Sequence, residues 1–282
     1  MQKFFILQIP CRYTMIIHSE NITDAKRYSR IISLVPSQTE LLYDLKLEEE
    51  VKAITKFCIH PKNWFKNKTR IGGTKNINIE LIKKISPDLI IANKEENVKE
   101  QVEELAKTID VYVTDVNNLT DALEMIRNIG TITGKTTKAL SIATQIEKKF
   151  QELSDSIQHK QKVKAAYLIW QNPYMAVGGN TFIDSMMQYC GLENIFTNVE
   201  RYPEITLNDL ESIKSGKINC ELILLSSEPY PFKEKHLHEI QLKLPSTKIM
   251  LADGEMFSWY GSRLLKAADY FKNLSENFLK AT

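Results

Sequence analysis

The most constraining feature of this sequence is an alternation of strand-like and helix-like segments that stops near residue 119 and resumes after residue 160. Before the interruption, apolar β-rich runs such as "RIISLV", "DLIIAN" and "VYVTDV" alternate with segments whose apolar residues have helical spacing. Such alternation predicts βαβ units and a mostly parallel sheet. The pattern returns in "KAAYLIW", "CELILLS" and "KIMLA". We therefore predict two α/β lobes.

The interruption itself predicts a helical connection between the lobes. Residues 119–160 contain two amphipathic helical patterns separated at Gly134, and no strand pattern. The second pattern predicts a helix of about 24 residues, or about 36 Å, which is long enough to act as a rigid spacer. The predicted division is an N-terminal extension at 1–28, an N-terminal lobe at 29–118, connecting helices at 119–160 and a C-terminal lobe at 161–282.

Charge and cysteine content exclude several classes of protein. The chain has 37 basic and 35 acidic residues, a balance that argues against nucleic-acid binding. The sequence contains no apolar run of the length that a membrane helix needs. Because none of the cysteines forms a C-x-x-C pair, we expect free thiols rather than a zinc site. The cysteines are Cys11, Cys58, Cys190 and Cys220.

The first twenty residues, "MQKFFILQIPCRYTMIIHSE", loosely mimic a secretion signal. Their apolar core is short and is interrupted by Pro10 and Arg12, and no small-x-small cleavage site follows. We expect this segment to be untargeted, which makes a cytoplasmic location one of the alternatives. The sequence leaves open whether translation starts at Met1 or Met15.

Aromatic residues are concentrated in the loops that follow predicted strands. The stretch "DGEMFSWYGSR", residues 253–263, places three rings and three charges in one such loop. Ligands of open α/β sheets bind outside the carboxyl ends of the strands, so these loops predict a bulky ligand held between the lobes. The candidate ligand-binding residues are Phe57, His60, Trp170, Tyr174, Tyr202, Glu228, Tyr230, Glu255, Phe257, Trp259, Tyr260 and Arg263.

Simpler interpretations compete with a ligand site at several of these positions. Any single ring after a strand is as compatible with core packing as with ligand contact. Cys58 and His60 share a face of an extended segment, but we expect no dedicated protein metal site there, and His60 is the candidate for an axial ligand to a metal already held in a chelate. The "HLH" at 236–238 is expected on a solvated helix face, and Ser37 with Glu40 predicts a capping box.

Motifs for catalysis are missing from the sequence. It contains neither the G-x-S-x-G nor the H-E-x-x-H motif, and no spacing fixes an acid–base pair. We therefore expect a protein that is not an enzyme.

Four segments carry a resemblance to a known family. "RIISLVPSQTELLYDL", "NINIELIKKISPDLIIA", the mid-chain helix and "GLENIF" resemble the substrate-binding proteins of ABC importers for cobalamin and iron chelates, the helical-backbone metal receptors. The likeness covers about residues 29–280 and is closest to the cobalamin-binding branch. It implies an α/β fold with two Rossmann-like lobes, each with a parallel sheet, joined by one long helix: the class III periplasmic-binding-protein fold.

The resemblance also implies a function. It implies non-enzymatic binding of a metal chelate for delivery to an ABC permease. A cobalamin-like chelate is the first candidate ligand, and a siderophore or haem is the second. The protein would have no cofactor of its own and is expected to be a monomer. The family works outside the cytoplasmic membrane. In that family an acidic residue on each lobe docks to the permease. The resemblance implies this role for Glu80 on the first lobe. On the second lobe the matching position is Asn208, so the role would pass to the adjacent Asp209.

Some positions depart from the cobalamin-binding branch. Phe57 and Tyr202 match positions where rings line the cleft, whereas Thr74 and Asn93 stand where that branch has tryptophans. Two rival hypotheses therefore stay open: an intracellular cofactor-handling protein or enzyme on the same fold, and a scaffold whose cleft binds no ligand.

Overall fold

A computed structural model of the chain describes residues 16–17, 22 and 28–279, which fold into two α/β lobes and a helical connection. The predicted two-lobed α/β architecture is confirmed. In the part of the chain that is described, no helix has both the length and the apolar composition needed to cross a lipid bilayer.

The first lobe is built on a parallel six-stranded sheet. Its strands are β1 (Ile16–Ile17), β2 (Ile31–Ser33), β3 (Val51–Ile54), β4 (Thr69–Arg70), β5 (Leu89–Asn93) and β6 (Asp110–Thr114). They lie in the order β1-β6-β5-β2-β3-β4. The central strands β2 and β5 are buried throughout, which explains why they are continuously apolar in sequence. Since β1 pairs with β6, residues 16–17 of the predicted N-terminal extension belong to this sheet.

Four helices cover the first sheet: α1 (Pro36–Asp44), α2 (Lys62–Asn67), α3 (Ile79–Ile85) and α4 (Lys99–Ala106). The predicted capping box at the start of α1 is wrong. The N-cap residue is Val35, and no side chain caps the first turn. Proline at the first helical position needs no donor partner and already has a helical φ, so it can start the helix without such a cap. Glu40 is thereby free to make a different contact, described below.

Two helices connect the lobes, as the sequence predicts. Helix α5 (Leu119–Ile132) begins where the Asn118 side chain accepts a hydrogen bond from the Asp121 N–H, and the turn after it passes through Gly134 at φ +68°. Helix α6 (Thr136–Ile157) has 22 residues, which corresponds to about 33 Å. On α6, Phe150 packs edge-on against rings of the second lobe, so this helix joins the two cores.

The second lobe contains a mixed sheet. Its strands are β7 (Val163–Trp170), β8 (Tyr174–Ala176), β9 (Leu192–Asn194), β10 (Glu204–Ile205), β11 (Leu222–Ser226) and β12 (Lys248–Ala252). The order is β10-β8-β7-β11-β12, with β9 also paired to β7. The pairs among β7, β9, β11 and β12 are parallel, whereas β8 is antiparallel to both β7 and β10. The predicted parallel arrangement therefore does not extend to β8 and β10.

The helices of the second lobe are α7 (Phe182–Tyr189), α8 (Leu207–Lys214), α9 (Glu234–Lys243), α10 (Gly254–Ser258) and α11 (Leu264–Leu279). The prediction of a solvated "HLH" face on α9 is wrong for His236 and correct for His238. His236 is buried: its Nδ1 accepts the Lys233 N–H, and its Nε2 lies 3.2 Å from the Tyr230 hydroxyl. Sequence periodicity did not show this because the partner ring comes from the preceding loop.

The described cysteines are free thiols, as predicted. Cys58, Cys190 and Cys220 are all buried, and Cys11 lies outside the described residues. Burial raises the pKa of each of these thiols, because desolvation disfavours the thiolate.

Candidate functional site

A cavity of about 740 Å³ lies at the carboxyl ends of β11 and β12, between the lobes. The first lobe contributes Ile59, from the loop after β3, and the other lining residues come from the second lobe. They are Ser227, Glu228, Phe232, Leu251, Ala252, Asp253, Glu255 and Tyr270. This is the crevice in which open α/β sheets place their ligands.

Arg263, immediately before α11, links the two lobes beside the cavity-lining residue Glu255. Its guanidinium donates to both carboxylate oxygens of Glu40 on α1 and also to Glu255. The guanidinium carbon lies 4.5 Å from the centre of the Trp259 ring, a cation–π geometry. Three of the five N–H donors of Arg263 are thus engaged within the protein, and its predicted contact with polar groups of a ligand stays a prediction.

His60 and Glu255 make a second contact between the lobes. The His60 Nε2 lies 3.2 Å from Glu255 Oε1, and the His60 ring meets the Trp259 ring edge-on at 5.4 Å. His60 thus lies beside Glu255, a residue of the cavity lining. In the part of the chain that is described, no three His, Cys, Asp or Glu side chains are grouped closely enough to hold a metal ion.

Glu228 lies on the wall of the cavity and anchors the 253–263 loop. Its Oε1 accepts hydrogen bonds from Trp259 Nε1 at 2.9 Å and from Ser258 Oγ at 2.5 Å. Burial raises the pKa of Glu228, and repulsion from Glu255 acts in the same direction, while these two hydrogen bonds oppose the shift.

Glu96, in the loop after β5, is a functional candidate that sequence reasoning missed. Burial, followed by repulsion from Glu228 of the other lobe, raises the pKa of Glu96 to about 7. The neighbouring Glu95 forms a further ion pair between the lobes, with Arg201 at 2.9 Å. Tyr202 lies beside this pair, and burial together with Glu95 raises the pKa of its hydroxyl. The only sequence signal was the "KEE" after a predicted strand.

Exposed rings extend the apolar surface beyond the cavity. Trp170, at the end of β7, is 40% exposed, and its ring lies 5.6 Å from that of Tyr230. The Tyr230 ring in turn lies 4.8 Å from Phe232, which lines the cavity. From the first lobe, Phe57 is 50% exposed and lies two residues before the lining residue Ile59. Exposed aromatic surface of this kind typically marks a binding site.

Four of the predicted rings are not available at the cavity. Trp259 is buried, and its indole N–H donates to Glu228. Phe257 is fully buried between Tyr167 and Phe271, so its predicted ligand contact is wrong. Tyr260 is likewise buried, with its ring edge-on to Phe182. Tyr174, on β8, lies under the ammonium group of Lys243 and is not part of the described cavity lining.

The two predicted docking residues lie at helix starts. Glu80 is exposed in the first turn of α3. Asp209 lies in the first turn of α8, where its Oδ2 accepts from both the N–H and the hydroxyl of Thr206. Thr74 and Asn93 are buried polar residues, so neither adds a ring to the cleft.

Comparison with known proteins identifies the family. The family model described as "Periplasmic binding protein" matches residues 31–241. The chain belongs to the periplasmic binding protein family. Among its relatives, the vitamin B12-binding protein of Vibrio parahaemolyticus is 23% identical over 202 residues, which cover 71% of this chain and 73% of that protein.

Solved structures support the same fold. The periplasmic vitamin B12 binding protein BtuF of Vibrio cholerae superposes with a TM-score of 0.76 at 18% identity, over 90% of this chain and 99% of that one. The periplasmic heme-binding protein RhuT from Roseiflexus sp. RS-1 gives a TM-score of 0.73 at 18% identity, over 89% and 99%. The family to which the chain belongs consists of substrate-binding proteins, which bind ligands without transforming them.

Proposed function

We propose that this protein binds a metal chelate of the cobalamin class in the cleft between its lobes and delivers it to an ABC importer. A haem-like or siderophore-like chelate is the second candidate. The observation that carries the proposal is a cavity lined by both lobes, with half-exposed rings close to lining residues of each lobe. Phe57 lies two residues before the lining residue Ile59, and Trp170 contacts Tyr230, whose ring packs against the lining residue Phe232.

The size and character of the cleft support a large ligand. A cavity of about 740 Å³ is within the range of small-molecule sites, and the exposed rings extend it outward. Tyrosine and tryptophan offer wide apolar contact with few rotatable bonds, which suits a flat macrocycle. The names of relatives and structural neighbours, which bind vitamin B12 or heme, point to the same class of ligand.

The test is direct binding of coloured chelates. Purified protein is mixed separately with cyanocobalamin, haemin and a ferric siderophore, and each mixture is passed through a gel-filtration column. We expect cyanocobalamin to co-elute with the protein at equal stoichiometry. If none of the three co-elutes, the metal-chelate proposal is wrong and the scaffold hypothesis is favoured. Cell fractionation separates an importer component from an intracellular cofactor-handling protein.

The permease contact is tested separately from ligand binding. Glu80 is exposed and has no role in the cleft, so Glu80→Arg is expected to leave chelate affinity unchanged. The same change is expected to reduce stimulation of ATP hydrolysis by a cognate permease in proteoliposomes at least about tenfold, because an ion pair becomes a like-charge contact. Unchanged stimulation would remove Glu80 from the proposed docking surface.

A further inference from the structure

We infer that the cleft selects metal chelates whose periphery is uncharged or cationic and rich in amide or amine donors, and that it discriminates against chelates with free carboxylates. This inference rests on the proposed function and narrows its ligand class. The charge of the cavity wall would then favour a corrin ring that bears amides over a porphyrin that bears propionates.

The wall of the cavity is acidic. Three of its lining residues are carboxylic acids, Glu228, Asp253 and Glu255, and the described lining contains no lysine or arginine. An anionic ligand would therefore enter a region of negative potential in which like charges repel.

The two basic side chains that contact Glu255 are both paired within the protein. Arg263 is only 7% exposed, and its guanidinium is divided between Glu40 and Glu255. His60 lies against the same Glu255. A ligand carboxylate that replaced either partner of Arg263 would leave a largely buried Glu without its counter-ion.

An amide or amine periphery matches the same wall. Ionised carboxylates are hydrogen-bond acceptors only, so they complement N–H donors of a ligand. The backbone around the cavity does not reverse this preference, since the Gly254 N–H donates to Ser227 Oγ and the Glu255 N–H to Asp253 Oδ1. Donor groups on the ligand would therefore gain charge-assisted hydrogen bonds, and acceptor groups would find few partners.

The test compares two corrins that differ only around the ring. Dicyanocobinamide carries amides, and dicyanocobyrinic acid carries free carboxylates on the same macrocycle. Isothermal titration at low ionic strength is expected to show the acid binding at least about tenfold more weakly. The difference is expected to narrow as salt is added, because screening weakens charge repulsion. Equal affinity, or tighter binding of the acid, would overturn the inference.

Variants that remove single charges test which side chains discriminate between the amide and the acid corrin. Glu228→Gln removes the negative charge and keeps an acceptor oxygen for Trp259. Glu255→Gln likewise removes a negative charge, and in addition it leaves Arg263 with a free donor. Both are expected to lower the ratio of amide to acid affinity at least about threefold. Glu152→Gln removes one exposed charge on α6, away from the cleft, and serves as the matched control. If all three variants keep the wild-type ratio, the acidic wall does not discriminate.

The outcomes distinguish this inference from the proposed function. If both corrins bind equally, the inference fails while the metal-chelate proposal stands. If no corrin, haemin or ferric siderophore binds, both fail. If haemin alone binds, its dimethyl ester is compared with it: tighter binding of the ester supports the inference, and tighter binding of the free acid overturns it.

Discussion

Arg263 and Glu40 lie 223 residues apart in sequence and form a two-point ion pair between the lobes. The distances are 2.7 Å for Nε–Oε2 and 2.9 Å for Nη2–Oε1, and the two side chains are 7% and 11% exposed. Nearby, Gly261 has φ +137°, and a Cβ there would lie 3.0 Å from the Ser37 carbonyl oxygen. The 253–263 loop, which contains the cavity-lining residues Asp253 and Glu255, therefore packs closely against α1.

Removing the charge of Glu40 should destabilise the fold. Glu40→Gln leaves the nearly buried Arg263 with Glu255 as its remaining carboxylate, and we expect a loss of about 3 kcal/mol in the free energy of unfolding. This loss is measured by urea denaturation monitored by far-UV circular dichroism. The control is Lys149→Ala, which breaks the exposed ion pair with Asp269 and should cost less than about 1 kcal/mol. Similar small losses in both variants would contradict a structural role for the Arg263–Glu40 pair.

The ring of Trp170 should contribute to ligand affinity rather than to stability. Because it is exposed, Trp170→Ala is expected to weaken cyanocobalamin binding by about 2 kcal/mol with little change in unfolding midpoint. Titration calorimetry and thermal unfolding separate the two effects. Leu242→Ala, another exposed apolar side chain, on α9, is the control and should alter neither. Unchanged affinity in the Trp170 variant would remove this ring from the binding surface.

The hypothesis that His60 is an axial ligand predicts a spectroscopic change. Aquocobalamin exchanges its axial water, so coordination by an imidazole nitrogen should shift its visible absorption on binding. We expect His60→Ala to abolish that shift, while His238→Ala, an exposed histidine on α9, retains it. A shift of equal size in the His60 variant would show that another group, or none, coordinates the metal.

The raised pKa of Glu96 predicts a pH dependence of stability. The folded protein keeps this proton until a pKa of about 7, whereas an unfolded chain releases it near 4.5. The associated stabilisation is therefore complete below the unfolded value and is lost as pH rises through about 7. The raised pKa of Glu228 acts in the same direction.

Unfolding experiments at several pH values test whether stability falls as pH rises. We expect the free energy of unfolding to fall between about pH 5 and pH 8, and Glu96→Gln to flatten that slope. Glu152→Gln should retain the wild-type slope, because its side chain is exposed on α6. A wild-type slope in the Glu96 variant would assign the pH dependence to other groups.

Local patterns in the sequence were sufficient for the architecture. The strand–helix alternation, the strandless stretch at 119–160 and the break at Gly134 each depend on residues close together in the chain, and all correspond to observed elements. The mixed second sheet was not predictable in the same way. The short strand β8 turns back on β7 through Asn172 at φ +62°, and nothing in its three residues indicates antiparallel pairing.

The sequence by itself determined two α/β lobes, a stiff helical connection and aromatic loops at strand ends, because backbone periodicity and turn residues act over a few positions. Only the tertiary structure decided which side chains face the cleft. It buried Phe257 in the core, left Trp170 exposed, and paired Glu40 with Arg263 instead of with its own helix N-terminus. The physical reason is that solvent exposure and ion pairing depend on neighbours brought together from distant parts of the chain, and a local pattern contains no information about those neighbours.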